Sequence, residues 1–202
     1  RKGLDNLKVH IENMKQFGNN IIVCLNHFYS DSDDEIKIVK EFVNSYNLKF
    51  KVSKAHTLGG EGSLELAKEI VELCKNENNF KYLYDSNETL TDKINSICKK
   101  IYHADNINYL DNTLNELKRF EELGYSNFPV CIAKTQYSIS DDPKKLGYPT
   151  GHEVSIKEVR LCSGAGFIVV LLGNILTMPG LSKKPAYINM DIDNQGNISG
   201  LF

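Results

Sequence analysis

The sequence predicts an α/β fold that opens on a parallel sheet, continues through a small helical subdomain and closes in a mixed α+β region. Three observations carry this. Residues 1–78 alternate helical and strand periodicity, with a glycine-rich loop after the second strand. Residues 89–124 hold a pair of amphipathic helical patterns, and from Phe128 onward the periodicity is strand-like.

Leu4, Leu7, Ile11 and Met14 fall on one stripe of a helix over residues 4–17, which Gly18 ends. "NIIVCLN" (Asn20–Asn26) is a continuous apolar run, typical of a strand covered on both faces. Ser32 and Glu35 make a capping box for a second helix, with Ile36, Val39, Phe42 and Val43 toward the core. "LKFKVSK" alternates as a strand and "GGEGS" follows. A third helix is expected to bury Leu64, Ala67, Ile70, Val71 and Cys74. The polar run "CKNENNF" (Cys74–Phe80) marks a boundary.

Thr89 caps the next helix through Asp92, with Leu90, Ile94, Ile97 and Ile101 inward. Another helix around Asn112–Leu123 carries Leu114, Leu117 and Phe120 and stops at Gly124. "PVCIAK", "EVSIKEVRL" and "FIVVLLGNIL" read as strands, and "YINMDIDNQGNISGLF" as a hairpin turning at Gln195-Gly196-Asn197. The expected divisions are 1–78, 79–127 and 128–202.

Composition narrows the function. The 202 residues carry 24 basic and 26 acidic side chains, a net charge of -2, which argues against a broad nucleic-acid footprint. No apolar run reaches the roughly 18 residues a membrane span needs. The five cysteines are scattered without a CxxC pair, as expected of small core residues in a reduced, intracellular protein. The chain starts at Arg1 without Met or a signal peptide and reads as the downstream part of a longer polypeptide.

Several stretches could carry chemistry. Gly59, Gly60 and Gly62, between a strand and a helix, either aim backbone N–H groups at an anion or simply make a tight turn. The dipeptide Gly-Lys occurs nowhere, so the chain holds no GxxxxGK[ST] phosphate loop. "CSGAGFIVV" lacks the third glycine and the following helix of a dinucleotide fingerprint, and a sheet bulge or close backbone approach is the preferred reading. Phe28 follows a strand at its carboxyl end, and His56 sits in the equivalent loop of the next strand. Together they could clamp a planar heterocycle, or each could merely close a core. The histidines show no metal-ligand spacing. Asp141 and Asp142 in "SISDDP" could ligate Mg²⁺, with a Pro-fixed turn preferred. Lys134, ending an apolar strand, points either at an anionic ligand or at a carboxylate partner.

Taken together, "LDNLKVHIEN", "IIVCLNHFYSDSDDEI", "GGEGSLELA", "DKINSICKKIY", "CIAKTQYSISDDP", "GAGFIVVLLGNILTMPGL" and the terminal "DIDNQGNISGLF" resemble the C-terminal third of formate–tetrahydrofolate ligases. The resemblance implies a P-loop-NTPase-like parallel sheet, of which residues 1–78 are the closing part of the nucleotide and folate domain. It implies an ATP-dependent ligase that makes 10-formyltetrahydrofolate through formyl phosphate. ATP with Mg²⁺ and tetrahydrofolate are then substrates of the full-length enzyme, with no tightly bound cofactor. The phosphate loop belongs to the upstream part, so the chain alone is expected to be inactive. Phe28 matches the family's pterin-stacking phenylalanine. His56 falls where the family usually has Trp, Leu58 where it usually has Lys, and His103 where it usually has Gly. The implied partners are small molecules, with neither nucleic acid nor membrane, and a homo-oligomer in the full-length enzyme. The compartment is the cytoplasm, or else an organelle matrix. The alternatives are a diverged, non-catalytic folate-binding or oligomerisation chain, and a dehydrogenase that rests only on "GAGFIV".

Overall fold

A computed structural model of the protein describes residues 2–175 and 183–200. The "TMPGL" segment (Thr177–Leu181) and the final Leu201-Phe202 lie outside them.

Helix α1 (Leu4–Lys15) buries Val9, Ile11 and Asn13, whereas Met14 of the expected stripe is exposed. Strands β1 (Ile22–Asn26) and β2 (Lys49–Ser53) pair in parallel, Ile22 opposite Lys49 and Asn26 opposite Ser53. Parallel strands need a long crossover, and α2 (Asp33–Ser45) supplies it. The capping box fixes where α2 starts. Glu35 N donates to Ser32 Oγ at 3.3 Å, and Ser32 N donates to the Glu35 carboxylate at 3.0 Å. After β2 come the single turn α3 (Ala55–Leu58), a 3-10 turn over Gly59–Ser63 and α4 (Leu64–Leu73).

Two expectations fail in this part. Among the described residues the β1–β2 sheet has only those strands, and Cys24 of β1 is exposed rather than covered. The stripe of α4 expected in the core faces solvent instead: Leu64 is 53 % exposed and Val71 59 %. The cause is the floor beneath it. Lys49 and Lys51, two apart on β2, leave the same face of the strand. Glu69 of α4 meets both, with each Nζ 3.1 Å from its carboxylate. The pairing holds Glu69 on the inner side with Leu66 and Leu73 and leaves the apolar stripe outside.

Residues 74–89 are irregular yet bound to the body. Lys81 N donates to the Phe17 carbonyl at 2.8 Å, Asn19 N donates to Asn79 Oδ1 at 3.1 Å, and the Phe17 and Phe80 rings stack at 6.3 Å. Helix α5 (Leu90–Lys100) then starts at Thr89, whose hydroxyl accepts from Asp92 N at 3.1 Å. Strand β3 (Asn106–Tyr109) follows, in a segment whose periodicity suggested helices alone. Asn106-Ile107-Asn108-Tyr109 does alternate, with Ile107 and Tyr109 half-buried, but four residues between two helical patterns are too short a run to stand out. Helix α6 (Thr113–Glu122) and strands β4 (Val130–Ala133), β5 (Glu153–Cys162) and β6 (Phe167–Leu172) complete this part.

The larger sheet is mixed, in the order β3-β5-β6-β4. The β3–β5 and β4–β6 pairs are parallel, and β5–β6 is antiparallel. Leu90, Ile94 and Cys98 of α5 and Leu117 of α6 share one core cluster with Val154, Ile156, Val159, Ile168, Val170 and Leu172. A bulge between Ile156 and Glu158 shifts the phase of β5, so that Val154, Ile156 and Val159 all point inward. "CSGAGF" is the hairpin turn between β5 and β6, closed by Gly166 N donating to the Cys162 carbonyl at 2.9 Å. It is neither a bulge nor the start of a helix. Near the carboxyl end, β7 (Asp191–Ile192) and β8 (Ile198–Ser199) form the expected hairpin around Gln195-Gly196-Asn197. No helix among the described residues is long and apolar enough to cross a membrane.

Candidate functional site

The carboxyl ends of β1 and β2 bring the two predicted aromatics together. His27 N donates to the Ser53 carbonyl at 2.9 Å, carrying the strand pairing one step past β1. Phe28 N then donates to Asp31 Oδ2 at 2.8 Å, which curls the loop and presents the ring, 46 % exposed. Asp31 escaped the sequence reading; its signal was the acid-rich "FYSDSDD", read there only as a helix start. On the β2 side, the buried Ser53 hydroxyl pairs with Ser63 Oγ at 2.6 Å and accepts from Ala55 N at 3.3 Å. These bonds tie the start of α3 to the start of α4 and fix His56.

The Phe28 and His56 rings lie 5.8 Å apart, centroid to centroid, and are tilted by 48°. A flat heterocycle slid between parallel rings needs roughly 7 Å, two stacking distances of about 3.5 Å. The pair as it stands is a closed jaw that must open and flatten slightly to take a guest. Leu58, 56 % exposed, is a third apolar group on the same loop.

The glycines divide by role. Gly59 has φ +59° and ψ −142°, a combination essentially confined to glycine. Gly62 lies against the backbone of Lys54; a Cβ there would sit 2.4 Å from the Lys54 carbonyl oxygen. Gly60 has neither constraint, since a Cβ there meets nothing within 4 Å. Two of the three are thus explained by the turn itself.

Lys134 lies apart from the jaw, at the end of β4. Its Nζ donates to the carbonyls of Thr135, at 2.9 Å, and Ser138, and it stands 5.2 Å over the Tyr102 ring. Burial lowers its pKa, and the charge of Asp141 opposes that shift. The rest of "TQYSISDDP" ties itself together. Ser138 and Ser140 hydroxyls sit 3.1 Å apart, Asp142 N donates to Ser140 Oγ at 3.1 Å, and Asp141 Oδ2 accepts from Ser155 N at 2.9 Å. Asp141 thus fastens the stretch to β5, while Asp142 serves the turn, its Oδ1 accepting from Lys144 N at 2.9 Å. Among the described residues no group of three or more His, Cys, Asp or Glu side chains could hold a metal ion. An apolar groove of about 1290 Å³ runs between α1, residues 82–88 and the start of β4, away from the jaw.

Comparison with known proteins decides the family. The family model described as formate–tetrahydrofolate ligase matches residues 1–202. The chain belongs to the formate–tetrahydrofolate ligase family. Relatives carrying that name include one from Petrotoga mobilis, 47% identical over 200 residues that are 99% of this chain and 36% of the relative. Another, from Pelagibacter ubique, is 47% identical over 203 residues, again 36% of its length. A third, from Ruegeria pomeroyi, is 46% identical over 202 residues with the same share. The chain therefore spans about a third of the length of the curated relatives it matches.

Proposed function

We propose that the chain is the folate-binding portion of an ATP-dependent ligase that joins formate to tetrahydrofolate, and that Phe28 and His56 are the walls holding the pterin. The observation that carries the reading is the contact of these two rings at the carboxyl ends of a parallel strand pair, where α/β proteins bind ligands, within a chain that matches the family model throughout. Residues 1–78 would close the P-loop-NTPase-like domain that supplies the nucleotide site.

The reaction the family name implies needs formate activated first. A formate oxygen attacks the γ-phosphorus of ATP, ADP leaves, and formyl phosphate forms. N10 of the folate then attacks the formyl carbon, the N–C bond forms, the C–O bond to phosphate breaks, and N10 gives up its proton. A stacked pterin contributes orientation, keeping N10 within attack distance of a short-lived acyl phosphate. The loop Gly59–Ser63 at the edge of the jaw offers backbone N–H groups of Gly60 and its neighbours to an anion, and Lys134 holds its own loop rather than reaching for one.

Without a GxxxxGK[ST] loop, the chain by itself is expected to make no 10-formyltetrahydrofolate from formate, ATP and tetrahydrofolate. The polypeptide extended to the length of its relatives is expected to make it, with each substrate required. Turnover by the 202 residues alone, or none by a folded full-length protein, would overturn the proposal.

A further inference from the structure

The helix that follows the glycine loop leaves a second set of apolar residues uncovered. Leu66, Glu69 and Leu73 of α4 are partly buried toward β2, while Leu64, Ala67, Ile70, Val71 and Cys74 are exposed along the opposite side. Leu64, Ala67, Val71 and Cys74 fall at intervals of three and four and form one stripe. No lysine or glutamate interrupts it. Beside it, the β1–β2 pair is a parallel sheet of two strands, and its apolar residues Ile22, Val23 and Leu25 are only half covered. Parallel sheets are found with both faces packed, and strands with open apolar edges invite pairing. A contiguous apolar stripe on a helix packed beside such a sheet marks an interface.

We infer that the outer face of α4 is the seat of the rest of the ligase polypeptide, the nearly two-thirds of the relatives' length that lies outside the match. The inference rests on reading the chain as part of a longer ligase. Length favours this occupant over a second copy: each relative carries far more chain than the 36% matched here, enough to add strands and helices to an incomplete parallel sheet. Strands join such a sheet through crossover units of a dozen or more residues, which the remainder supplies and an identical copy of this incomplete unit does not.

Cys74, at the end of the stripe and exposed, is the reporter. Its alkylation by iodoacetamide, mapped by mass spectrometry, is compared in the 202-residue chain and in a chimera in which the chain replaces its counterpart in the Petrotoga mobilis ligase. At least tenfold protection in the chimera is expected, with the isolated chain monomeric by sedimentation. The double substitution Leu64→Glu and Val71→Glu is expected to leave the melting temperature of the isolated chain unchanged and to lower that of the chimera. Equal reactivity in both proteins contradicts the inference, as does a dimer of the isolated chain that protects Cys74. Since the readouts are thiol reactivity and association, a failed ligase assay and a failed interface remain separate results.

Discussion

At the scale of single residues, the glycine loop separates a requirement of the fold from one of a ligand. Gly62 is packed on the Lys54 carbonyl, so Gly62→Ala forces backbone apart and should cost about 1–3 kcal/mol of stability, read from denaturant unfolding. Gly60 has open space and an ordinary backbone, so Gly60→Ala should leave stability within about 0.5 kcal/mol. If Gly60→Ala nonetheless weakens nucleotide or folate binding in the full-length enzyme, the loop approaches an anion. His152 gives a second test. It is 2 % exposed, its ring nitrogens meet no hydrogen-bond partner at full geometry among the described residues, and burial, helped by the charge of Lys145, holds its pKa below the ordinary 6.5 against the opposing pull of the Tyr102 backbone, Asp141 and Asp105. Unfolding therefore takes up a proton that the fold refuses. Stability is complete above about pH 6.5 and is lost as pH falls below it, by at most about 1.4 kcal/mol per pH unit for this group. His103, lowered mainly by burial against the opposing charge of Glu12, acts in the same sense. Melting temperatures between pH 7.5 and 5.5 should fall less steeply in His152→Leu than in the parent, and equal slopes would contradict the assignment.

At the scale of elements, periodicity located the helices and the long strands because each repeats over several turns or pairs. It failed where another element decides. The α4 stripe was legible as apolar, but its direction depends on Lys49 and Lys51 of a different strand. Strand β3 pairs with the edge of β5, Asn106 opposite Glu153, and its alternating Asn-Ile-Asn-Tyr is too short a pattern to stand out between two helices. Lys93 was unreadable for the same reason. Within the α5 pattern it sits as one more polar residue, yet it is fully buried, and its Nζ donates to the carbonyls of Ser126 at 2.6 Å and Phe128 at 3.3 Å. It pins the loop from α6 to β4. Lys93→Met keeps the stem and orphans both carbonyls, so unfolding should show a loss of about 2–4 kcal/mol; a neutral result would mean that water replaces the ammonium.

At the scale of the whole molecule, the first α/β unit meets the larger sheet through a small polar network. His103, at φ +54°, has Nε2 2.8 Å from Asn13 Oδ1, Asn13 Nδ2 donates to the Ile101 carbonyl at 2.8 Å, and Tyr148 donates to Glu12 at 3.1 Å. None of this is visible in a sequence that places those partners 88 to 136 positions apart, whereas Phe28 and His56 were legible because equivalent loops of a parallel pair end side by side. Family membership, the ring pair and the absent phosphate loop fit one account: a folate wall that works as part of a larger ligase. The dissociation constant of tetrahydrofolate for the full-length enzyme tests it most directly. Phe28→Ala should weaken binding by about 1–3 kcal/mol, the scale of a lost aromatic stack with its burial, with the fold intact by circular dichroism. An unchanged dissociation constant would contradict the account.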